Sequence, residues 1–308
     1  MSAICNACSI SVNLFLQTQR TQLSQALARS VLLRNALISG AAVLLGLVCG
    51  AAVAFGPFWA GFAVLAALAC GYALLRTTDA GITAVLLVAT IVPFGTLPFK
   101  AVITPNFLEL ALLAVMGLWL LQLLVRPDAT LQLTGLGLPI IGFLGLTLFS
   151  FVLGSNGSPD SLTLHNYFKF VLAVLFFFTI INCVRTRVQA RWMLQSLMIS
   201  GAVAAAIGLV LWAIPNDLSL RLLTSLGRLG YPTEGRVLRF VMDDPFGVER
   251  AIGLSVDPNS FGGMLALVGA ITATQAVAER PVLPRWVMIG SAAVMALTVF
   301  LTQSRGAL

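Results

Sequence analysis

Runs of about twenty apolar residues, each long enough to cross a bilayer as a helix, recur from one end of this sequence to the other. They fall near 36–55, 57–75, 82–99, 107–125, 136–154, 168–184, 192–214, 260–278 and 286–302. A helix that is apolar on every side has to be buried in protein or in lipid. Only 9% of the 308 residues are charged, against about 25% in soluble domains, so the chain lacks the polar surface to enclose so many such helices in water. The expected fold is therefore all-α: a polytopic transmembrane helical bundle of about nine spans. One longer loop, about 215–259, interrupts the series.

Eighteen Lys and Arg against 11 Asp and Glu give a net charge of +7. In a soluble protein that excess points to nucleic acid; here it reads as topology, and no nucleic-acid partner is expected. The amino-terminal tail and alternate connections hold Arg20, Arg29, Arg34, Arg76, Arg126, Arg185, Arg187, Arg191, Arg280 and Arg285, while the other short connections hold only Lys100 and Lys169. The positive-inside rule then places the tail, residues 1–35, in the cytoplasm. Leu16, Leu23, Leu27 and Val31 of that tail roughly share a helical face, the pattern of an interfacial helix. Residues 36–308 form the transmembrane domain. The 215–259 loop and Arg305 fall on the outer face, where Arg221, Arg228, Arg236, Arg239 and Arg250 run against the expected charge bias. Arginines on that side call for a reason other than topology.

Few familiar devices are present. Five cysteines, two of them (Cys49 and Cys70) inside apolar runs, do not suggest a disulfide framework. Cys5 and Cys8 form a CxxC with no second ligand pair, so no metal site is expected. Gly46 and Gly50 form a GxxxG that lets helices pack closely. Glu109, one turn into the fourth run, reads as a carboxylate favoured by its helix amino terminus. The single histidine, His165, lies in the segment 155–169 ahead of the sixth run, with no carboxylate partner evident from sequence. It reads as a solvated interfacial residue rather than a general base.

Two stretches carry the chemical signal. In the first, Arg250 precedes Gly253 and then Asp257-Pro258-Asn259-Ser260, a turn and helix-start pattern just ahead of an apolar run. Asp257 or Asn259 is placed to cap that helix, whose free N–H groups would suit an anion. Arg250 adds a planar, permanent charge matched to phosphate oxygens. In the second stretch, Thr302-Gln303-Ser304-Arg305-Gly306-Ala307 closes the last run, and Arg305 either snorkels to the interface or joins Arg250 at one anion site. From the residues alone, an ordinary capped loop and an anion site stand about even.

Arg250, Gly253, Asp257-Pro258-Asn259-Ser260-Phe261 and, after one hairpin of helices, Ser304-Arg305-Gly306 together resemble the O-antigen ligase and O-antigen polymerase superfamily. The resemblance covers roughly the last sixty residues. It implies a membrane glycosyltransferase acting on polysaccharide or lipopolysaccharide precursors. Such enzymes transfer a glycan from undecaprenyl pyrophosphate to lipid A-core or a growing polysaccharide, on the periplasmic face of the inner membrane. It implies that Arg250 and Arg305 grip the pyrophosphate as catalytic residues, with Asp257, Asn259 and Ser304 in substrate binding. No metal or cofactor is implied, because arginine supplies the charge. Family members continue past Ser-Arg-Gly with further spans and a periplasmic loop carrying a histidine, so the expectation from the resemblance is that this chain, ending at Leu308, is either a fragment, the preferred reading, or inactive by itself. Two alternatives stand beside this reading: a small-solute or anion transporter with the outer arginines at its mouth, and a helical scaffold with no site.

Overall fold

The computed structural model describes residues 18–19, 78–96, 105–125, 130–154, 159–244 and 246–307. The tail with its CxxC, the two apolar runs near 36–55 and 57–75, and the Gly46/Gly50 pair lie outside the described residues. Eight α-helices follow: α1 (Thr78–Ile91), α2 (Phe107–Val125), α3 (Gly137–Gly154), α4 (Ser161–Cys183), α5 (Arg187–Ala213), α6 (Asn216–Ser225), α7 (Pro258–Val277) and α8 (Arg285–Leu301). Among the described residues the only β pairing is two isolated antiparallel bridges, Thr96–Asn106 and Phe240–Glu249. The protein is thus all-helical where it is described. Five helices, α2, α3, α4, α5 and α7, are long and apolar enough to cross a membrane; α1 and α8 are shorter and also apolar.

Several boundaries differ from the sequence expectation. The run near 82–99 is helical only to Ile91, because Pro93, Gly95 and Pro98 end the periodicity. The helix expected from 168 begins at Ser161, where the Asp160 carboxylate accepts from the Thr163 N–H at 3.4 Å. His165 and Lys169 are therefore helical residues, not loop residues ahead of a span. The stretch 215–259 is not irregular throughout, since it contains α6 and two short 3₁₀ turns, Leu226–Leu229 and Val241–Asp243.

The chain divides into two compact units. The first holds α3, the later part of α2 and the end of α4. Asn182 fastens it: its carbonyl oxygen accepts from the Gln132 N–H at 2.7 Å, and its amide donates to the carbonyls of Gln132 (3.1 Å) and Phe178 (2.9 Å). On α3, Leu138, Leu146, Phe149 and Leu153 are 61–70% exposed, the surface that an apolar helix presents to lipid.

The second unit contains the start of α2, the start of α4, and α5 to α8. Its core is a three-helix packing of α5, α7 and α8 around Ala204, Ala205, Phe261, Leu265, Val268, Met295 and Val299. Gly201, Ala204, Ala205 and Gly208 recur at helical spacing, so α5 offers its partners a face of small residues, the way helices approach closely where no hydrophobic drive separates lipid from protein. Thr298 of α8 spans the contact, donating to the Ala205 carbonyl at 3.2 Å as well as to its own Val294 carbonyl at 2.8 Å. The Thr186–Gln189 capping box starts α5: Gln189 N–H donates to Thr186 Oγ1 (3.2 Å) and Thr186 N–H to Gln189 Oε1 (3.1 Å). Leu211, Leu223, Val237 and Ile252 form a second, smaller core under the 215–257 loop.

A Cβ at Gly201 would lie 2.7 Å from Val268 Cγ1, whereas one at Gly290 of α8 would meet nothing within 4 Å. Gly201→Leu is expected to cost about 1–3 kcal/mol by overpacking. Gly290→Leu should leave stability unchanged. Thermal unfolding of both variants in detergent checks the contrast.

Candidate functional site: an arginine-lined cleft

The site is built where the loop between α6 and α7 returns to meet the end of α8. Ala251 N–H donates to the Leu301 carbonyl at 3.0 Å, which lays the residues after Arg250 against the last turn of α8. Arg250 then reaches across. Its Nε donates to the Thr302 carbonyl at 2.8 Å and its Nη2 to Asn259 Oδ1 at 2.9 Å, with the Gln303 carbonyl 3.5 Å from the same Nη2. One guanidinium thus joins the loop, the first turn of α7 and the end of α8. Its Nη1 has no partner among the described residues. Arg305 is exposed, and no carboxylate pairs with it or with Arg250 among the described residues.

Arg250, Asn259 and Arg305 line one cleft with Val241, Met242, Gln303 and Gly306; its volume is about 300 Å³. Three of the five residues singled out from sequence therefore meet at one surface. Asp257 and Ser304 do not line it. Ser304 is 2% exposed, turned toward the start of α7, where its Cβ is 3.4 Å from the Cβ position of Gly262.

Asp257 is the N-cap of α7. Its Oδ2 accepts from the Ser260 N–H at 2.8 Å and from the Ser260 hydroxyl at 2.7 Å, and Pro258 follows at the first helical position. Burial pushes its carboxyl up, but the Ser260 and Asn259 hydrogen bonds and the Arg239 charge outweigh it and hold the group below the usual aspartate value. The cap satisfies the Ser260 N–H, one of the free N–H groups at the start of α7. Glu249 lies next to Arg250 in the chain, and burial raises its carboxyl above the ordinary glutamate value. The same residue's carbonyl accepts from Trp212 Nε1 at 3.1 Å.

Glycines allow these pieces to close. Gly253 has φ +53°, a left-handed conformation, and the Phe261 ring lies 2.7 Å from the position a Cβ would take. A Cβ at Gly262 would meet Thr302 Oγ1 at 2.8 Å and Ala307 Cβ at 2.9 Å, so the 302–307 turn sits directly on the α7 backbone. Val256 and Gln303, neither a glycine, also take positive φ values of 60° and 51°. Each presents its carbonyl to an arginine: Val256 to Arg239 Nε at 3.3 Å, Gln303 to Arg250. Strained backbone of this kind persists where surrounding contacts over-determine it.

Sequence reasoning missed the lining residues Val241 and Met242, and it singled out Arg239 only as one of the outer-face arginines. It also missed a second polar cluster on the same unit. Glu109, 4% exposed, pairs with Lys169 Nζ at 3.2 Å and with His165 Nε2 at 3.1 Å, while its Oε2 accepts from the Asn106 N–H at 3.1 Å. Asn106 Oδ1 in turn accepts from the Glu109 N–H at 2.7 Å, closing a capping box at the start of α2. His165 and Lys169 are four residues apart and hence on one helical face, a signal legible once Asp160-Ser161 is read as a helix start.

No family model, curated protein or solved structure matches this chain. What stands is the class: a helical protein with several apolar, membrane-length helices and an unpaired arginine cleft at one end of its α5–α7–α8 packing.

The cap provides a pH test. Because the Asp257 carboxyl is held low in the fold, its contribution is complete above the ordinary value of 3.8 and is lost as pH falls through the lowered one. Asp257→Ala should cost about 1 kcal/mol at neutral pH. Asp257→Asn should keep most of the cap and lose the acid-side slope. Unfolding midpoints recorded between neutral and acid pH distinguish the two variants.

Proposed function

We propose that this protein is an O-antigen ligase-like membrane glycosyltransferase, transferring a glycan from undecaprenyl pyrophosphate to lipid A-core or to a growing polysaccharide on the periplasmic face. The observation supporting it most directly is the meeting of Arg250, Asn259 and Arg305 on one cleft with no carboxylate paired to either arginine among the described residues. Two unpaired guanidinium groups at the end of an apolar helix packing are suited to an anion that arrives attached to a lipid. Arginine offers a planar fork of donors that engages phosphate oxygens in pairs.

In the proposed reaction an acceptor hydroxyl oxygen attacks the anomeric carbon of the donor glycan. The bond from that carbon to the pyrophosphate oxygen breaks, its electron pair leaves with the pyrophosphate, and the hydroxyl proton passes to solvent or a base. Negative charge grows on the leaving oxygen, and Arg250 Nη1 with Arg305 would stabilise it as it forms. Asn259 holds Arg250 in orientation from one side and the Thr302 carbonyl from the other. The cleft's position at helix ends would let the polyprenyl chain stay in the bilayer while the diphosphate reaches the arginines.

Substitution by lysine separates the proposed clamp from a mere positive charge. Arg305 is exposed and has no carboxylate partner among the described residues, so Arg305→Lys should fold normally yet lose transfer about tenfold to a hundredfold, the worth of one charge-assisted hydrogen bond. Arg250→Lys should lose at least as much and also lower the melting temperature. The readout is transfer of a labelled glycan from undecaprenyl pyrophosphate to acceptor in membranes. Full activity in both lysine variants would overturn the clamp.

A further inference from the structure

Beside the arginine cleft the loop forms a short hairpin that exposes large apolar side chains as well as Asp243 and Asp244. Phe240 and Glu249 pair across it, Val241 N–H donates to the Val248 carbonyl at 2.9 Å, and Gly247 N–H to the Asp244 carbonyl at 2.9 Å. Its base is fixed, since Arg250 N–H donates to the Arg239 carbonyl at 2.8 Å. Met242 is 91% exposed and Phe246 97%, with Val248 also exposed. A large apolar side chain presented on a braced turn, outside any helix, is an unusual use of surface in water.

The geometry points to the bilayer interface as the occupant of this surface: the 240–249 hairpin dips Met242 and Phe246 into the lipid layer beside the cleft. Three observations favour lipid over a soluble partner. The hairpin is continuous with membrane-length helices, since α5 ends at Ala213 and α7 starts at Pro258 on either side of the loop. Between them α6 follows α5 directly after Pro215 and exposes Leu218 and Leu222, four residues apart on one face, while Leu223 is buried beneath. That is the arrangement of a helix lying in the headgroup layer. Arg221 and Arg228 of the same loop are exposed, the charge complement of anionic headgroups.

The hairpin's acidic residues are compatible with such a depth. Asp243 is paired with Arg236 at 2.7 Å, and the Asp244 carboxylate accepts the Phe246 N–H at 3.1 Å. Both groups would sit at headgroup level while the two apolar tips reach the boundary of the acyl chains, about 5–10 Å deep. Met242 also lines the cleft with Arg250 and Arg305. The hairpin would thus hold the cleft mouth at lipid level. This inference concerns the surface alone and stands whether or not the cleft transfers a glycan.

Spin labels at Phe246→Cys and, as a water-facing control, at Glu234→Cys test it. The full chain, with its five native cysteines replaced by alanine, is reconstituted in phosphatidylethanolamine–phosphatidylglycerol vesicles. The label at 246 should collide more readily with oxygen than with a water-soluble nickel chelate, and the label at 234 the reverse. Nickel access at 246 equal to that at 234 would overturn the inference, as would a label shielded from both reagents, which means a protein partner covers the tip. Should the cysteine-free chain fail to fold, a benzophenone amino acid at 246 in the native chain gives the same decision: cross-linking to lipid supports the inference, and cross-linking to protein or to nothing overturns it.

Discussion

Arg250 brings a charge that cannot be neutralised into a position where three separate pieces of chain meet, and most of the site's form follows from how that charge is held. The guanidinium is used twice over. Nε and Nη2 act structurally, donating to Thr302 and Asn259, and Nη1 has no partner among the described residues. Without that bracing, the Ala251–Leu301 hydrogen bond would still join the loop to the end of α8, and van der Waals packing around Gly262 would join the 302–307 turn to α7. Lysine has one point charge on a flexible stem and cannot span both acceptors in this fork geometry. The same physics underlies the proposed chemistry: a charge fixed beforehand costs no reorganisation when negative charge develops beside it.

Packing in the α5–α7–α8 group serves this arrangement. Gly208 and Gly253 leave room for the Phe261 ring, which is 1% exposed, and that ring sets the height of α7 against the loop. Gly262 then admits the 302–307 turn onto the next face of α7, which brings Arg305 to the cleft edge while burying Ser304. The placement of the arginines therefore depends on glycines that touch no ligand.

Much of this was legible in the sequence, and what was missed has physical causes. The apolar runs gave the helical class directly, because a continuous run of about twenty apolar residues satisfies its backbone in lipid as a helix, whereas barrel strands are about half as long and alternate. The Asp257-Pro258-Asn259-Ser260 pattern located the start of α7, and Asp257 caps it as the pattern predicts. The convergence of Arg250 and Arg305 depends on two stretches fifty residues apart lying on one face, which helix alternation supplied. Met242 gave no signal, since its role arises from a turn at φ +58° that composition does not announce. The Glu109–His165–Lys169 cluster was hidden by a boundary error: with the helix begun seven residues late, the i, i+4 relation of His165 and Lys169 could not be seen. At the start of α7 the Asp257 cap takes the Ser260 N–H, so cap and anion would compete for that one donor.

The central claim is that Arg250 and Arg305 act together on a diphosphate. Calorimetric titration of a short prenyl diphosphate, and of the matching monophosphate, into the protein in lipid nanodiscs tests it most directly. The account predicts that the diphosphate binds more tightly than the monophosphate, and that Arg305→Ala removes that preference while leaving the melting temperature unchanged. Equal binding of the two ligands, or a diphosphate preference that survives in Arg305→Ala, would contradict it.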